Sequence, residues 1–290
     1  MERRMEDKFA DTYKKLEQIG MYSEDERSET ILLLAGTGIN FWIYYPILAR
    51  FTIEELNQFA AIYTISGASA VTWVYSLAHY DRLFKIEQMK QFDRELRRHM
   101  NGSSLTRRML RMVKGYPVYS NRNMRRLFAE YVHPTVEEQT FAEFGIQNLH
   151  VVAHDVDQNS YQLFSKAMTP DENVINIMSS VVMPKKFLNR AFARPLDGYE
   201  SVSDFDFAPR EIKKQFYEDL RKRHPGKRIV ILNLVKDEQR GHTELVKVPL
   251  KEPLRKAQIL DLARVFLNMP NPAIGEEFRR VHDQAHDREV

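Results

Sequence analysis

A chain of 290 residues with 43% hydrophobic and 29% charged residues has the length and composition of one large globular domain, which excludes a disordered ground state. It contains no cysteine, so disulfide bonds and cysteine-held metal sites are excluded. The net charge of +3 says little as a sum, but Asp81 to Glu130 carries thirteen Lys/Arg against five Asp/Glu, so the positive charge is concentrated in one stretch.

The N-terminus, Met1 to Lys8, is charged and opens an amphipathic helical pattern rather than a signal-peptide core, which predicts a cytoplasmic protein. No uninterrupted apolar run reaches the roughly twenty residues that span a bilayer, so a membrane is expected only as a peripheral surface. Thr30 to Ala35 reads as a buried strand ending in Gly36-Thr37-Gly38, and 39–51 reads as an apolar helix dented at Pro46. A second strand starts at Ala61 and runs through Ser66-Gly67-Ala68-Ser69 into another apolar helix. This βαβα opening predicts a parallel sheet covered by helices.

Residues 81–145 read as a basic helical insertion, or cap, within a single domain spanning 1–290. Strands return at 147–156 and 161–165, joined by the turn Asp157-Gln158-Asn159-Ser160. A short helix at 171–178 leads into Ser179-Ser180 and Pro184. Asp197-Gly198 forms a polar turn, 211–224 an amphipathic helix, and 228–234 a buried strand. Helical patterns at 255–268 and 276–286 follow.

Acyl transfer needs a nucleophile, a base and donors for the oxyanion. Gly67-Ala68-Ser69 at the second strand-to-helix turn is a G-x-S motif, which would expose Ser69 above a helix N-terminus. The backbone amides of Gly36, Thr37 and Gly38, on the neighbouring element, would cradle the oxyanion. No Lys-Ser/Thr follows them as in a P-loop, and no G-x-G-x-x-G continues.

The succession of a glycine turn after the first strand, a G-x-S turn after the second, an Asp-bearing strand, Ser-Ser before Pro184, then Asp197-Gly198 and a final helix and strand resembles the patatin-like phospholipase family. The resemblance covers 31–234 in element order. It implies a three-layer α/β fold, a mainly parallel central sheet with helices on both faces, and a serine-aspartate dyad of Ser69 and Asp197. It also implies that Gly36, Thr37 and Gly38 form the oxyanion hole, and that lipid acyl esters are hydrolysed through an acyl-enzyme with no metal or cofactor. Thr37, Asn40, Phe41, Val71 and Tyr199 depart from the family pattern, and Val71 would push helix and strand apart.

Two other readings stay open. His224, His242, His282 and His286 follow Asp197, so a Ser-His-Asp esterase is formally available; a catalytically degenerate module that binds lipid or a partner is the other. His150 and His154 flank a strand and are expected to be structural, since no third metal ligand accompanies them. Arg107, Arg108, Arg111, Lys114, Arg122, Arg125 and Arg126, interleaved with apolar residues, are expected to meet an anionic membrane surface rather than nucleic acid.

Overall fold

The computed structural model describes residues 2–36, 44–77, 91–92, 94–96, 110–111, 114–132, 139–187, 190–233, 239–240 and 243–247. The helices expected at 255–268 and 276–286 lie outside them.

Helices α1 (Glu2–Gln18) and α2 (Glu24–Ser28) lead into strand β1 (Thr30–Leu34), all five residues of which are buried. Two one-turn helices follow, α3 (Tyr45–Leu48) and α4 (Ile53–Leu56). Pro46 falls in the first turn of α3, where a missing N–H costs nothing, so it starts the helix rather than denting it. A capping box between Thr52 and Glu55 fixes α4. Strand β2 (Ala61–Ile65) is buried throughout and runs into α5 (Gly67–Ser76).

After β3 (Tyr119–Ser120) and α6 (Asn121–Tyr131) come β4 (Leu149–Asp155) and β5 (Ser160–Phe164). Helix α7 (Val174–Val181) is capped by the Asn173 side chain, which accepts from Asn176 N. Short strands β6 (Lys186–Phe187), β7 (Arg190–Ala191) and β8 (Ala193–Arg194) precede β9 (Val202–Asp204). A 3₁₀ turn over Phe205–Phe207 joins β9 to α8 (Arg210–Arg223) and β10 (Arg228–Asn233). Strands β11 (Gln239–Arg240) and β12 (Thr243–Lys247) end the described chain.

The central sheet is mixed and mostly parallel, in the order β11-β12-β10-β1-β2-β4-β5. The pairs β12–β10, β10–β1, β1–β2 and β2–β4 are parallel, while β5 and β9 run antiparallel to β4. Side chains alternate between its faces, as a pleated strand requires. Leu32, Leu34, Ile62 and Val151 pack with α3, α5, α6 and α7 on one face. Ile31, Leu33, Tyr63, Ile65 and Val152 pack with Ile212, Phe216 and Leu220 of α8 on the other. The chain is therefore α/β with helices on both sides of the sheet.

The described part of the basic insertion belongs to the same core. Phe92 stacks on Phe128 of α6 at 4.9 Å between ring centres, and Phe128 meets Trp73 of α5 edge-on at 5.4 Å. Among the described residues, no helix is long and apolar enough to cross a membrane.

Register explains how two polar side chains meet at the end of this sheet. Strand β2 pairs with β4 up to Ile65 opposite Val152, and then turns away. The next position on β4, Ala153, is paired by Asp204 of β9. Strand β9 thus takes the slot that β2 vacates, beside the residue where β2 leaves.

Candidate active site

The residue at which β2 leaves is Ser66. Its backbone sits at φ 55° and ψ −130°, a region nearly reserved for glycine, and apart from Asn159 it is the non-glycine residue with positive φ among those described. A serine at a helix N-cap ordinarily turns its oxygen back to cap the first amides. Ser66 does not cap α5 with its side chain; Ser66 Oγ donates instead to Asp204 Oδ2 at 2.8 Å. The small residues Gly67 and Ala68 follow, so strand and helix can pass closely at this sharp turn.

Asp204 is held from both sides. Its Oδ1 accepts the Asp206 backbone N–H at 3.0 Å, so both carboxylate oxygens receive hydrogen bonds. Its own N–H donates to Met183 O at 3.3 Å. Only 2% of the residue is exposed, and burial pushes its carboxyl well above the usual carboxylate range. The Asp206 charge adds to that rise, while the bonds from Asp206 N–H and Ser66 and the Lys213 charge oppose it. A hydroxyl on a forced turn, hydrogen bonded to a buried carboxyl of high proton affinity, has the geometry of a nucleophile and its base.

The glycine turn lies alongside. Ala35 N donates to Leu232 O at 3.0 Å, and the buried Tyr44 hydroxyl lies 2.9 Å from Ala35 O and 2.6 Å from Leu232 O, tying together the ends of β1 and β10. Gly36 follows, and a Cβ placed on it would lie 1.6 Å from Asp206 Oδ2. Only glycine admits that approach. Thr37, Gly38, Asn40 and Phe41 lie outside the described residues.

The residues expected from the sequence to form the dyad are not brought together. Ser69 is wholly buried within the first turn of α5, and its Oγ has no hydrogen-bond partner among the described residues. Asp197 sits in a surface turn with Gly198 at φ +83°, its side chain 87% exposed and 3.2 Å from Arg122. The serine and aspartate that the structure does bring together are Ser66 and Asp204. Val71 is buried in α5, in the same core cluster as Leu34 and Ile62. Tyr199 donates its hydroxyl to Glu172 at 2.7 Å.

The available histidines stand elsewhere. His224 is hydrogen bonded through Nε2 to the Tyr63 hydroxyl at 3.0 Å, on the α8 face of the sheet. Tyr63 also stacks on His150, whose imidazole is pushed down to about 4 by burial and by the nearby His224 and Arg223 charges. His242, His282 and His286 lie outside the described residues. Among the described residues, no group of three His, Asp or Glu side chains could hold a metal ion.

Of the basic residues, Arg111, Lys114, Arg122 and Arg126 are exposed, and Arg125 Nε donates to Asn176 at 2.8 Å. Leu110 and Tyr116 beside them are 54% and 60% exposed. Arg107 and Arg108 lie outside the described residues.

No family model and no curated protein sequence matches the chain. Among solved structures it is similar to the heterodimeric complex ExoU–SpcU from the type III secretion system of Pseudomonas aeruginosa, at 17% identity and a TM-score of 0.35, covering 87% of this chain and 51% of the other. A second structure of full-length SpcU with full-length ExoU gives 13% identity and a TM-score of 0.28, covering 87% and 52%. The chain spans about half the length of the chains it matches.

Proposed function

We propose that the chain is a patatin-like serine hydrolase that cleaves lipid acyl esters with Ser66 as nucleophile and Asp204 as general base. The observation that carries the reading is the Ser66–Asp204 hydrogen bond of 2.8 Å at a turn held at positive φ.

In this mechanism ionised Asp204 takes the Ser66 proton as Oγ attacks the ester carbonyl. The new C–O bond leaves a tetrahedral oxyanion, which the uncapped N-terminus of α5 and the turn at Gly36 stabilise. Collapse breaks the bond to the leaving alcohol, which receives the proton from Asp204. Water, deprotonated by the same carboxylate, then releases the fatty acid and restores Ser66. The exposed Leu110 and Tyr116 beside Arg111 and Lys114 support a lipid substrate presented at an anionic surface.

A lipid- or partner-binding module without catalysis is the second reading, and the observation in its favour is that Ser66 is only 1% exposed. A fluorophosphonate probe separates the two. Under the hydrolase reading it labels the wild-type chain and spares Ser66→Ala, and lipid extracts incubated with the wild type alone accumulate free fatty acid. Absence of labelling together with unchanged lipids overturns it.

A further inference from the structure

Two carboxyl groups, not one, stand at the end of β9. Asp206 is two residues from Asp204 in the 3₁₀ turn, and its backbone N–H bonds Asp204 Oδ1 at 3.0 Å. Its side chain lies against Gly36, where no other residue would leave room for it. Lys213 of α8, 1% exposed, donates from Nζ to Asp206 O at 2.6 Å. The buried phenols of Tyr44, at the N-cap of α3, and Tyr217, from α8, are raised first by burial and further by the Asp206 charge. A half-buried acid placed this close to a buried acid and a buried cation is not explained by the hydrogen bond that positions Asp204.

We infer that Asp206 is a positioning residue for Asp204, so that the base of the dyad works under the influence of a second acid and the buried Lys213 gathered around the same 3₁₀ turn. The inference rests on the Ser66–Asp204 reading for its catalytic meaning; the closeness of the three groups stands on the Asp206 N–H bond to Asp204 Oδ1 at 3.0 Å and on Lys213 Nζ at 2.6 Å from Asp206 O. Two acids in one buried turn cannot ionise independently, because the first negative charge raises the cost of the second. Ordinary burial lifts Asp206 to about 6 with Lys213 pulling the other way. Ionised Asp206 lifts Asp204 and Lys213 lowers it. His154, on β4, joins the set through Lys213 and is itself lowered by burial.

Opposite signs give the test its force. The full chain labelled with ¹³C-aspartate is titrated by NMR, with the Asp204 signal assigned by its loss in Asp204→Asn. In the wild type the Asp204 carboxyl signal should show two inflections, one its own and one as Asp206 titrates. In Asp206→Asn the Asp204 midpoint should fall by about one pH unit or more, and in Lys213→Met it should rise. The acid limb of kcat/KM for a short acyl ester should move with it, in the same two directions. General loosening of the turn would move both variants the same way.

A single inflection in the wild type, or a midpoint that ignores Asp206→Asn, overturns the inference even if either variant folds poorly. Ser66→Ala removes hydrolysis and one hydrogen bond to Asp204, so the Asp204 midpoint should rise while the inflection caused by Asp206 remains. Coupled carboxyls with no Ser66-dependent hydrolysis would uphold the charge pairing and overturn the hydrolase reading, and the converse would do the opposite.

Discussion

Two turns carry an aspartate within eight residues of each other, and they behave differently. At Asp197-Gly198 the carboxylate points into water and pairs with an equally exposed arginine. At Asp204-Phe205-Asp206 the first carboxylate is drawn inward, where it accepts from Ser66 Oγ and from the Asp206 N–H. Water screens the first pair almost completely, so it adds little to stability. Burial does the reverse at Asp204 and raises its proton affinity. The same side chain is a turn former in one place and a chemical group in the other because of what surrounds it.

The largest break in this comparison comes from the buried turn. Ser66→Ala and Asp204→Asn should each lower acyl-ester hydrolysis by about a thousandfold or more, read as kcat/KM. Loss of the Ser66 hydroxyl with retained activity would return attention to Ser69. Gly36→Ala should come next, since its Cβ collides with the Asp206 carboxylate and something must shift; a drop of about tenfold to a hundredfold in kcat with a lowered melting temperature is expected.

A stability measurement sharpens the contrast. Because folding raises the Asp204 proton affinity, the stability this group contributes is present below the ordinary carboxylate range and lost as pH rises through its elevated value. Asp204→Asn should therefore raise the melting temperature at pH 8 and leave it nearly unchanged at pH 4. His150 gives the mirror image. Its folded value of about 4 lies below the ordinary 6.5, so its stabilisation holds above 6.5 and is lost as pH falls through 4. His150→Phe, which keeps a ring against Tyr63, should remove on the order of 2 kcal/mol of that acid-induced loss, read from urea midpoints at pH 7 and pH 4.

The smallest effects should come from the two residues that the sequence motifs favour. Asp197→Asn should leave hydrolysis within about twofold of wild type, because its charge is screened. Ser69→Ala should do the same and leave the melting temperature equal or slightly higher, since it removes a buried hydroxyl with no partner.

Much of the sheet can be read from the chain. Runs such as Ile31 to Leu34, Ile62 to Ile65 and Ile229 to Leu232 are apolar without alternation because both faces of a parallel sheet are covered. The stop at His224-Pro225-Gly226 after α8 is equally plain. The acidic opening at 171–173 is misleading, because α7 begins only at Val174, where Asn173 supplies a cap.

The candidate site is legible only in part. The G-x-S pattern points to the turn that holds Ser66 but singles out Ser69, one helical turn later, whereas the residue that terminates the apolar strand, precedes two small residues and bonds Asp204 is Ser66. That signal, Ile65-Ser66-Gly67-Ala68, was available and is more physical than the motif. Asp204 is harder to find. Nothing local distinguishes it, because its position depends on β9 entering the slot on β4 left by β2, a contact between residues 138 apart.

The backbone at Ser66 has a consequence for anyone who would improve this protein in the laboratory. Glycine accepts φ 55° and ψ −130° without strain, whereas serine holds them at about 1–3 kcal/mol. Ser66→Gly and Asp204→Asn thus both move toward heat resistance and away from chemistry. A selection for survival at high temperature alone would enrich those two substitutions and return a sturdier molecule without the Ser66–Asp204 pair.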